Sequence, residues 1–299
     1  MEKSFVVQKF ARLKFQNFSL VGYSVAGEET VVQVPEFNVC FDVGRCPQFA
    51  LTSDLMLLSH GHMDHVAGLG YYLSQRHFQG MKPGTVLLPR QLDAPVGELL
   101  RAWQGVERQQ TPFRVEPMCA GEDYPVRRDF VIRCVATHHG FPSLGYVLMS
   151  VREKLKPEYT QFSGEELARM KREGVEIQYK LEVPLVAYLG DTSYGPVFDH
   201  PDVMRAQVLL CECTFFDHEH KTKAKAGKHL HVDDFVKVVD KSQNEHIIVL
   251  HVSRRTGIRR ARGILKRLLT AEQAARVHFL MDFEESSEGG EIEAPNSGE

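Results

Sequence analysis

The sequence lacks any apolar run near the roughly 18 residues that a membrane-spanning helix requires, so no membrane association is expected. The N-terminal stretch MEKSFVVQKFARLKF interrupts its apolar positions with charges and lacks the apolar centre of a secretory signal peptide. The six cysteines form no Cys-x-x-Cys pair, which favours free thiols and a cytoplasmic protein. Cys211 and Cys213 flank Glu212 in a predicted strand, where packing is expected rather than zinc binding.

Basic residues are missing from the C-terminal end of the chain. Residues 284–299 contain six Glu and no Lys or Arg, with Gly, Ser and Pro between them, which predicts a disordered acidic tail. The whole chain has a net charge of −3 from 36 basic and 39 acidic residues, so the remainder without the tail is +3. The sign of the charge therefore differs between the tail and the body.

The rest of the chain alternates short apolar or β-branched runs with amphipathic stretches, which is typical of a layered α/β fold. Strands are predicted at 31–35, 38–42, 55–59, 85–88, 130–136, 145–151, 185–189, 208–211 and 246–250. Helices are predicted at 66–75, 91–103, 163–172, 232–241 and 257–269, the third with a capping box from Ser163 to Glu166. The polar segment 152–182 is predicted to be an excursion from one domain that spans 1–283.

The densest group of metal-ligand side chains is the motif SHGHMDH at 59–65, directly after the apolar run at 55–58. If the chain stays extended, His60 and His62 point the same way, while Asp64 and His65 lie on the turn into a helix. Imidazole and carboxylate together suit zinc and similar divalent ions. A polar loop with chance histidines is the alternative, but four ligands at this spacing favour the start of two adjacent metal sites.

Further ligands are expected where other apolar strands end. The predicted strand at 130–136 is followed by His138 and His139, that at 185–189 by Asp191, and that at 246–250 by His251. Each alone is weak evidence, because a histidine after a strand is more often a surface residue. Asp191 is the natural bridging ligand, since one carboxylate can offer an oxygen to each ion.

Two basic clusters favour an anionic substrate, although such runs are most often solvated surface. The lysine cluster comprises Lys221, Lys223, Lys225 and Lys228. The arginine cluster, with no acidic residue among its members, comprises Arg254, Arg255, Arg259, Arg260, Arg262, Lys266 and Arg267. The candidate RNA-binding residues are Lys221, Lys223, Lys225, Arg254, Arg255, Arg259, Arg260 and Arg262.

The motifs together resemble a known family. Asp42, SHGHMDH, HGFPSLGY at 139–146, GDT at 190–192, ECTF at 212–215 and VLHVS at 249–253 follow one another in this order. This order resembles the metallo-β-lactamase fold, and more specifically the single-domain short form of ribonuclease Z, which matures tRNA 3′ ends. FDVGRCPQFAL at 41–51 and MKPGTVLLP at 81–89 look most like the plant-type short enzymes. The resemblance covers roughly residues 20–283 and implies a four-layer αββα sandwich.

The resemblance also implies a ligand set for two divalent ions, zinc or alternatively manganese. One ion would be held by His60, His62, His139 and Asp191. The other would be held by Asp64, His65, Asp191 and His251. Asp42 would orient the histidines of the first motif. His138 competes with His139, and the spacing to Pro142 and Ser143 favours His139.

Glu212 and His229 resemble the charge-paired acid of the family. His229 would donate a proton to the leaving oxygen, Glu212 would keep His229 charged, and Asp64 would take a proton from the attacking water. The sequence KHLH at 228–231 makes His231 a rival, and both histidines could instead be surface residues.

The implied activity is cleavage of precursor tRNA at its 3′ end, leaving a 3′-hydroxyl, by a hydroxide that two metal ions activate. The alternatives are hydrolysis of a small phosphodiester by the same fold and a non-catalytic nucleic-acid-binding protein. Two departures from the family pattern concern the substrate: GRCPQ at 44–48 replaces the common GEGTQ, and 152–182 is short for a tRNA-binding arm. The expected partner is precursor tRNA, and a homodimer is left open.

Overall fold

The strands of this protein form two β-sheets, and in each sheet both faces are covered by other parts of the chain. The computed structural model describes residues 10–282 and 291–293. In the described part of the chain, the first sheet contains β1 (Ala11–Lys14), β2 (Ser19–Val25), β3 (Glu29–Val34), β4 (Val39–Phe41), β5 (Leu55–Leu57), β6 (Thr85–Pro89) and β7 (Arg114–Met118) in sequence order. The second contains β8 (Asp123–Arg127), β9 (Phe130–Ala136), β10 (Leu144–Leu155), β11 (Gln178–Tyr188), β12 (Val208–Glu212), β13 (His246–Leu250) and β14 (Val277–Phe279), also in sequence order. A last strand, β15 (Glu291–Glu293), lies parallel to β1.

The helices of the described residues are mostly short. They are α1 (Met63–Val66), α2 (Leu69–Phe78), α3 (Asp93–Glu107), α4 (Gly164–Arg172), α5 (Pro201–Met204), α6 (Lys221–Gly227), α7 (Val232–Lys241), α8 (Ile258–Leu268) and α9 (Ala271–Ala275). The capping box predicted at the start of α4 is present, because the Ser163 hydroxyl accepts from the Glu166 backbone N–H. None of these helices is long and apolar enough to cross a bilayer.

Three apolar clusters define four layers. The central cluster joins inward-facing residues of both sheets, such as Phe41 and Leu57 in one and Tyr188 and Leu210 in the other. A second cluster packs the outer face of the first sheet against α2 and α3. The third packs the outer face of the second sheet against α5, α7 and α8. Successive residues of a strand therefore point alternately to the central cluster and to an outer cluster, so both faces of each sheet are buried. The result is the predicted αββα sandwich, and the fold class is confirmed.

The structure corrects several predicted boundaries. Each predicted strand overlaps an observed one, but β1, β2, β7, β8, β14, α5, α6 and α9 were not predicted. The helix predicted at 66–75 is two helices, because α1 ends at Val66 and α2 begins at Leu69. The segment 152–182 begins and ends as an extension of the β10–β11 hairpin, whose last pair is Leu155 with Gln178, and carries α4 between the two strands.

Cysteine packing agrees with the sequence analysis. All six cysteines are free, and Cys211 and Cys213 are fully buried in the cluster between the second sheet and its helices. The tail predicted as disordered at 284–299 lies outside the described residues except for Glu291–Glu293, where the structure has a strand instead.

Candidate metal centre

The predicted ligands converge because they follow strands that end at one edge of the sandwich. His60 and His62 follow β5, and His139 follows β9 of the other sheet. Asp191 comes after β11 and His251 directly after β13. Rigid strands on both sheets therefore hold the side chains, while the loops after them provide the turns that bring them together.

The first group consists of His60, His62, His139 and Asp191. One ligand atom of each lies within 4.8 Å of those of the others. Nε2 of His139 lies 3.2 Å from Nδ1 of His62, and Nε2 of His60 lies 3.7 Å from Oδ2 of Asp191. His139 is buried, whereas His138 contributes its backbone to contacts with Thr192 and Ser193. The structure therefore places His139, and not His138, in the cluster.

The second group consists of Asp64, His65 and His251, again with ligand atoms within 4.8 Å of one another. Oδ2 of Asp64 lies 3.3 Å from Nε2 of His251 and 3.8 Å from Nε2 of His65. Asp191 joins the two groups, because its Oδ2 lies 3.7 Å from His60 Nε2 of the first group and 3.5 Å from His65 Nε2 of the second, while its Oδ1 lies 3.5 Å from His251 Nδ1. This placement is the one that a bridging carboxylate requires.

Unpartnered polar atoms show that the cluster suits cations. Nε2 of His60, Nε2 of His65 and Oδ1 of Asp191 are buried and have no hydrogen-bond partner. A buried polar atom without a partner is costly, and divalent ions bound to the two groups would give each of these atoms a partner. Imidazole nitrogens with carboxylate oxygens are also the donor set that zinc and manganese accept.

The electrostatics of the cluster favour deprotonated ligands at most positions. Burial lowers the pKa of His60, His62 and His139, so these imidazoles are neutral and offer a lone pair. Burial alone would raise the pKa of Asp191, but the surrounding histidines, first His251 and His65, hold it well below its usual range. His65 differs, because Asp191 and Asp42 raise its pKa despite its burial.

Asp42 is fully buried and anchors the loop that carries the first motif. Its carboxylate accepts from the backbone N–H of Ser59 at 2.7 Å, from the Ser59 hydroxyl at 2.7 Å and from Tyr188. Its Oδ2 also lies 2.7 Å from Nδ1 of His65, and the Ser59 hydroxyl lies 3.0 Å from Nδ1 of His60. Asp42 therefore positions His65 directly and His60 through Ser59. Tyr188 belongs to β11, so this carboxylate also joins the two sheets.

The backbone adopts left-handed conformations at several positions just after the strands that carry the site. Asp42 has φ 53° and His251 has φ 56°, a left-handed conformation that costs non-glycine residues about 1 kcal/mol each. Gly190, just before Asp191, has φ 57°. A Cβ atom at Gly190 would lie 2.5 Å from Cβ of Ser59, so only glycine fits between the two sheets here.

Glu212 and His229 form a pair at the edge of the cluster. Oε1 of Glu212 lies 2.9 Å from Nδ1 of His229 and also accepts from the backbone N–H of Thr192 at 2.8 Å. Oε2 accepts from the Thr214 hydroxyl at 2.6 Å and from the backbone N–H of Leu230 at 3.2 Å. Burial lowers the pKa of His229, but the charge of Glu212 and its hydrogen bond prevail and raise that pKa to about 9.

His231, the rival of His229, has a different role. Its Nδ1 accepts from the backbone N–H of Asp233 and caps the start of α7, while Nε2 faces the carbonyl of Asp217. Sequence analysis missed Ser59, Tyr188 and Thr214 as parts of the site. Thr214 had a local signal, because it lies two residues after Glu212, whereas Tyr188 meets Asp42 only through the packing of the two sheets.

An open cleft exposes both ligand groups and His229 to solvent. Its lining includes His62, Asp64, Asp191, His229, His251, Arg254 and Arg255. A second depression shares His229 and is lined by basic side chains, among them Lys221, Lys225, Lys228 and Lys237. Cationic side chains therefore line both the cleft and the neighbouring depression, the latter together with Asp233 and Asp234.

The remaining candidate RNA-binding residues differ in their surroundings. Arg260 pairs with Asp217 and Lys221 with Asp233 on the surface. Arg262 pairs with Asp282 and its side chain is only 22% exposed, so it is the least accessible of the set. Lys223 and Lys225 are exposed in α6, and Arg259 is exposed in α8.

Comparisons with known proteins agree with this geometry. A beta-lactamase superfamily domain matches residues 47–252. The chloroplastic tRNase Z TRZ2 of Arabidopsis thaliana is 32% identical over 86% of this chain and 73% of that protein. The tRNase Z TRZ1 of the same plant is 32% identical over 83% of this chain and 90% of that protein. The crystal structure of the metallo-beta-lactamase fold protein YhfI from Bacillus subtilis superimposes with a TM-score of 0.60 at 14% identity, over 86% of this chain and 93% of that one.

Proposed function

Because the chain belongs to the tRNase Z family of the beta-lactamase superfamily, we propose that it is a metal-dependent endoribonuclease that cleaves precursor tRNA at its 3′ end. The observation that carries the proposal is the shared cleft. Two ligand groups joined by Asp191 open into the same cleft as the His229–Glu212 pair. Phosphodiester cleavage needs charge neutralisation and a proton for the leaving oxygen, and the cleft brings groups for both together.

The ligand assignment is part of the proposal. One divalent ion would be held by His60, His62, His139 and Asp191, and a second by Asp64, His65, Asp191 and His251. When bound, two such ions neutralise phosphate charge and lower the pKa of water; zinc or manganese would serve. Asp42 keeps His65 in the orientation that leaves its Nε2 facing the cluster.

His229 and Glu212 handle the proton of the leaving group. The charge of Glu212 keeps the imidazole protonated near neutral pH, and His229 is 17% exposed, so a substrate can reach it from the cleft. His229 donates this proton to the leaving 3′ oxygen, which becomes the 3′-hydroxyl of the tRNA. Asp64, whose Oδ2 lies 3.3 Å from Nε2 of His251, accepts the proton of the attacking water.

Phosphate contacts are assigned to cations around the cleft. Arg254 and Arg255 line the cleft itself, while Lys223, Lys225 and the arginines of α8 extend the positive surface. Such contacts supply affinity and register without reading bases, and they weaken as salt concentration rises. The arm at 152–182 adds Lys154, Lys171 and Arg172 on an exposed hairpin and helix.

Two smaller proposals concern the cellular compartment and the oligomeric state of the protein. Six free cysteines support a reducing compartment such as the cytoplasm. Large apolar side chains are exposed on α2 and α3, namely Tyr71, Phe78, Leu99, Trp103 and Val106. Their exposure supports a second copy of the chain as a partner. Cell fractionation and analytical ultracentrifugation test these two points.

Cleavage of defined RNA tests the function directly. Purified protein loaded with zinc or manganese is incubated with a 3′-extended tRNA precursor and, separately, with a generic phosphodiester. The expected products are a tRNA with a 3′-hydroxyl and a trailer with a 5′-phosphate. His62→Ala should abolish cleavage while RNA affinity stays nearly unchanged. Turnover of the small phosphodiester with an intact precursor would contradict the proposal.

A further inference from the structure

An exposed phenylalanine stands directly beside the ligand cluster. The side chain of Phe141 is 60% exposed, although the histidine two residues before it, His139, is buried. Its ring centroid lies 4.9 Å from that of His62 at an angle of 67°, and 6.1 Å from that of His139. One part of the ring therefore packs on two ligand histidines, and the rest faces solvent at the rim of the site.

The loop that carries Phe141 is held in place on both sides. The Thr137 hydroxyl donates to that of Ser143 at 2.8 Å, and the Leu144 N–H donates to the carbonyl of Ser59 at 2.9 Å. The Ser193 N–H donates to the carbonyl of His138 at 2.9 Å. A ring fixed in this way loses little conformational entropy when another flat group stacks on it.

The position of Phe141 relative to His229 indicates which part of a substrate meets it. His139 has ring contacts with both residues, at 6.1 Å to Phe141 and 5.0 Å to His229. Among the ring contacts of the described residues, none joins Phe141 to His229, and Phe141 packs instead on His62. Phe141 therefore lies at the His62 side of the cluster, whereas His229 lies at the His251 side, where the two ring centroids are 5.3 Å apart.

The proposed mechanism determines which end of the RNA substrate lies on each of these two sides. His229 protonates the leaving 3′ oxygen, so the mature tRNA extends towards His229. The nucleotide that keeps the phosphate, the first of the 3′ trailer, then extends towards the other side. Every base has a flat face, and stacking on an aromatic side chain is the usual way in which proteins hold single-stranded RNA.

We propose that Phe141 is a stacking platform for the base of the first trailer nucleotide and positions the scissile phosphate through that contact. This inference rests on the proposed function, because it takes the direction of the substrate from the role of His229. Met63, the residue after the ligand His62, is a second exposed apolar side chain, at 73%. The stacking is tolerant of sequence, and purines with their larger rings should be held more strongly than pyrimidines.

A double-mutant cycle with the metal-loaded protein tests the stacking. Phe141→Ala is compared with wild type on precursors that carry either adenine or an abasic site at the first trailer position. On the adenine substrate, kcat/KM should fall about tenfold, the scale of one lost base stack. On the abasic substrate the wild type should fall by a similar factor, and Phe141→Ala should lose little more. Equal loss by Phe141→Ala on both substrates, or no loss on either, would overturn the proposal.

Two matched variants separate stacking from support of His62. Phe141→Tyr keeps the aromatic face and should retain the preference for a base over an abasic site, whereas Phe141→Leu keeps only an apolar contact and should lose it. Metal content, read by elemental analysis, should be unchanged in all variants. Retention of the preference in Phe141→Leu would identify a packing role and contradict the proposal.

Fluorescence of 2-aminopurine gives a readout that does not depend on turnover. The probe is placed at the first trailer position or at the last position of the mature tRNA, and emission is read on mixing. Quenching at the trailer position that Phe141→Ala removes supports the assignment, and loss of quenching only at the mature end overturns it. If RNA is bound and quenched but never cleaved, the proposed function fails while the stacking platform stands.

Discussion

Nδ1 of His229 lies 2.9 Å from Oε1 of Glu212, and this carboxylate is held in turn by Thr192, Thr214 and Leu230. Glu212 is 1% exposed, so its charge acts on His229 through protein and with little screening by water. Glu212 therefore keeps the His229 imidazole charged and fixes its orientation at the edge of the cluster.

Loss of this imidazole should matter most for a poor leaving group. His229→Ala should reduce RNA cleavage by about a hundredfold or more, the scale of general acid catalysis. Its effect on a nitrophenyl phosphodiester should be much smaller, because nitrophenolate leaves without a proton. Steady-state kinetics on both substrates measure the difference, with metal content as a control. His231→Ala is the matched variant, and a selective loss in that protein instead would reverse the assignment.

The pH profile should report the influence of Glu212. The protonated form of His229 is the active one, so activity persists below its pKa and is lost as the pH rises through that value, about 9. Glu212→Gln removes the charge that raises this pKa, and the falling limb of kcat/KM should move to lower pH. Rates measured between about pH 6 and 10 test the shift. An unchanged falling limb in Glu212→Gln would show that another group controls it.

Metal stoichiometry should separate the bridging ligand from the others. Wild type should contain about two zinc or manganese equivalents per chain, and Asp191→Ala should lose affinity for both, since Asp191 contacts His60 of the first group and His65 of the second. His139→Ala and His251→Ala should each retain about one equivalent. Elemental analysis after dialysis measures this, and a wild-type content near zero with activity insensitive to chelators would contradict the two-metal assignment.

Gly190 should tolerate no side chain. Gly190→Ala adds a Cβ atom 2.5 Å from that of Ser59 at φ 57° and should lower the free energy of unfolding by about 2–3 kcal/mol. Metal affinity should fall as well, because Asp191 follows directly. Gly80→Ala is the control: φ is +67° but nothing lies within 4 Å of the added atom, so only backbone strain of about 1 kcal/mol is expected. Equal losses in denaturant titrations would show that the contact with Ser59 is relieved by a small movement.

Reversal of charge on α8 tests the arginine cluster. Arg259, Arg260 and Arg262 changed together to Glu should weaken precursor binding and reduce its dependence on salt, because fewer phosphate contacts release fewer counterions. Arg254 and Arg255 changed to Gln should have the larger effect per residue, since they line the cleft. Binding titrations at several salt concentrations measure both. Normal binding by the α8 variant would identify that helix as a solvated surface.

The strands that sequence analysis recognised share a continuous apolar or β-branched run, such as β13, whose residues from Ile247 to Leu250 are buried. Two of those that it missed do not: β8 reads DYPVR and β7 reads RVEPM, with proline and charge in edge strands. The outer parts of β10 and β11 are polar and exposed, so the alternation that reveals a half-buried strand is absent. The outer parts of β10 and β11, and the strands β7 and β8, are extended because they form hydrogen bonds with an adjacent strand. A local sequence pattern does not reveal that pairing.

Most of the candidate site was accessible from the sequence because each ligand follows a strand that the sequence reveals. The choice between His138 and His139, or between His229 and His231, rested on a family resemblance, since spacing alone leaves both open. The contacts of Tyr188 and Ser59 with Asp42 were not accessible at all. The contact of Tyr188 depends on how the two sheets face each other, and that of Ser59 depends on the pairing of β4 with β5; no local pattern encodes either.

The dispersal of the ligands along the chain has a consequence for biosynthesis. They extend from His60 in the first sheet to His251 beyond the penultimate strand of the second, and Asp191 lies between them. A nascent chain that has emerged only as far as β11 can already pair β4 with β5, yet it still lacks His251 and the strand that positions it. The complete cluster can therefore form only late in translation, after β13 has left the ribosome, so an ion that needs His251 would arrive at a chain that is almost entirely folded.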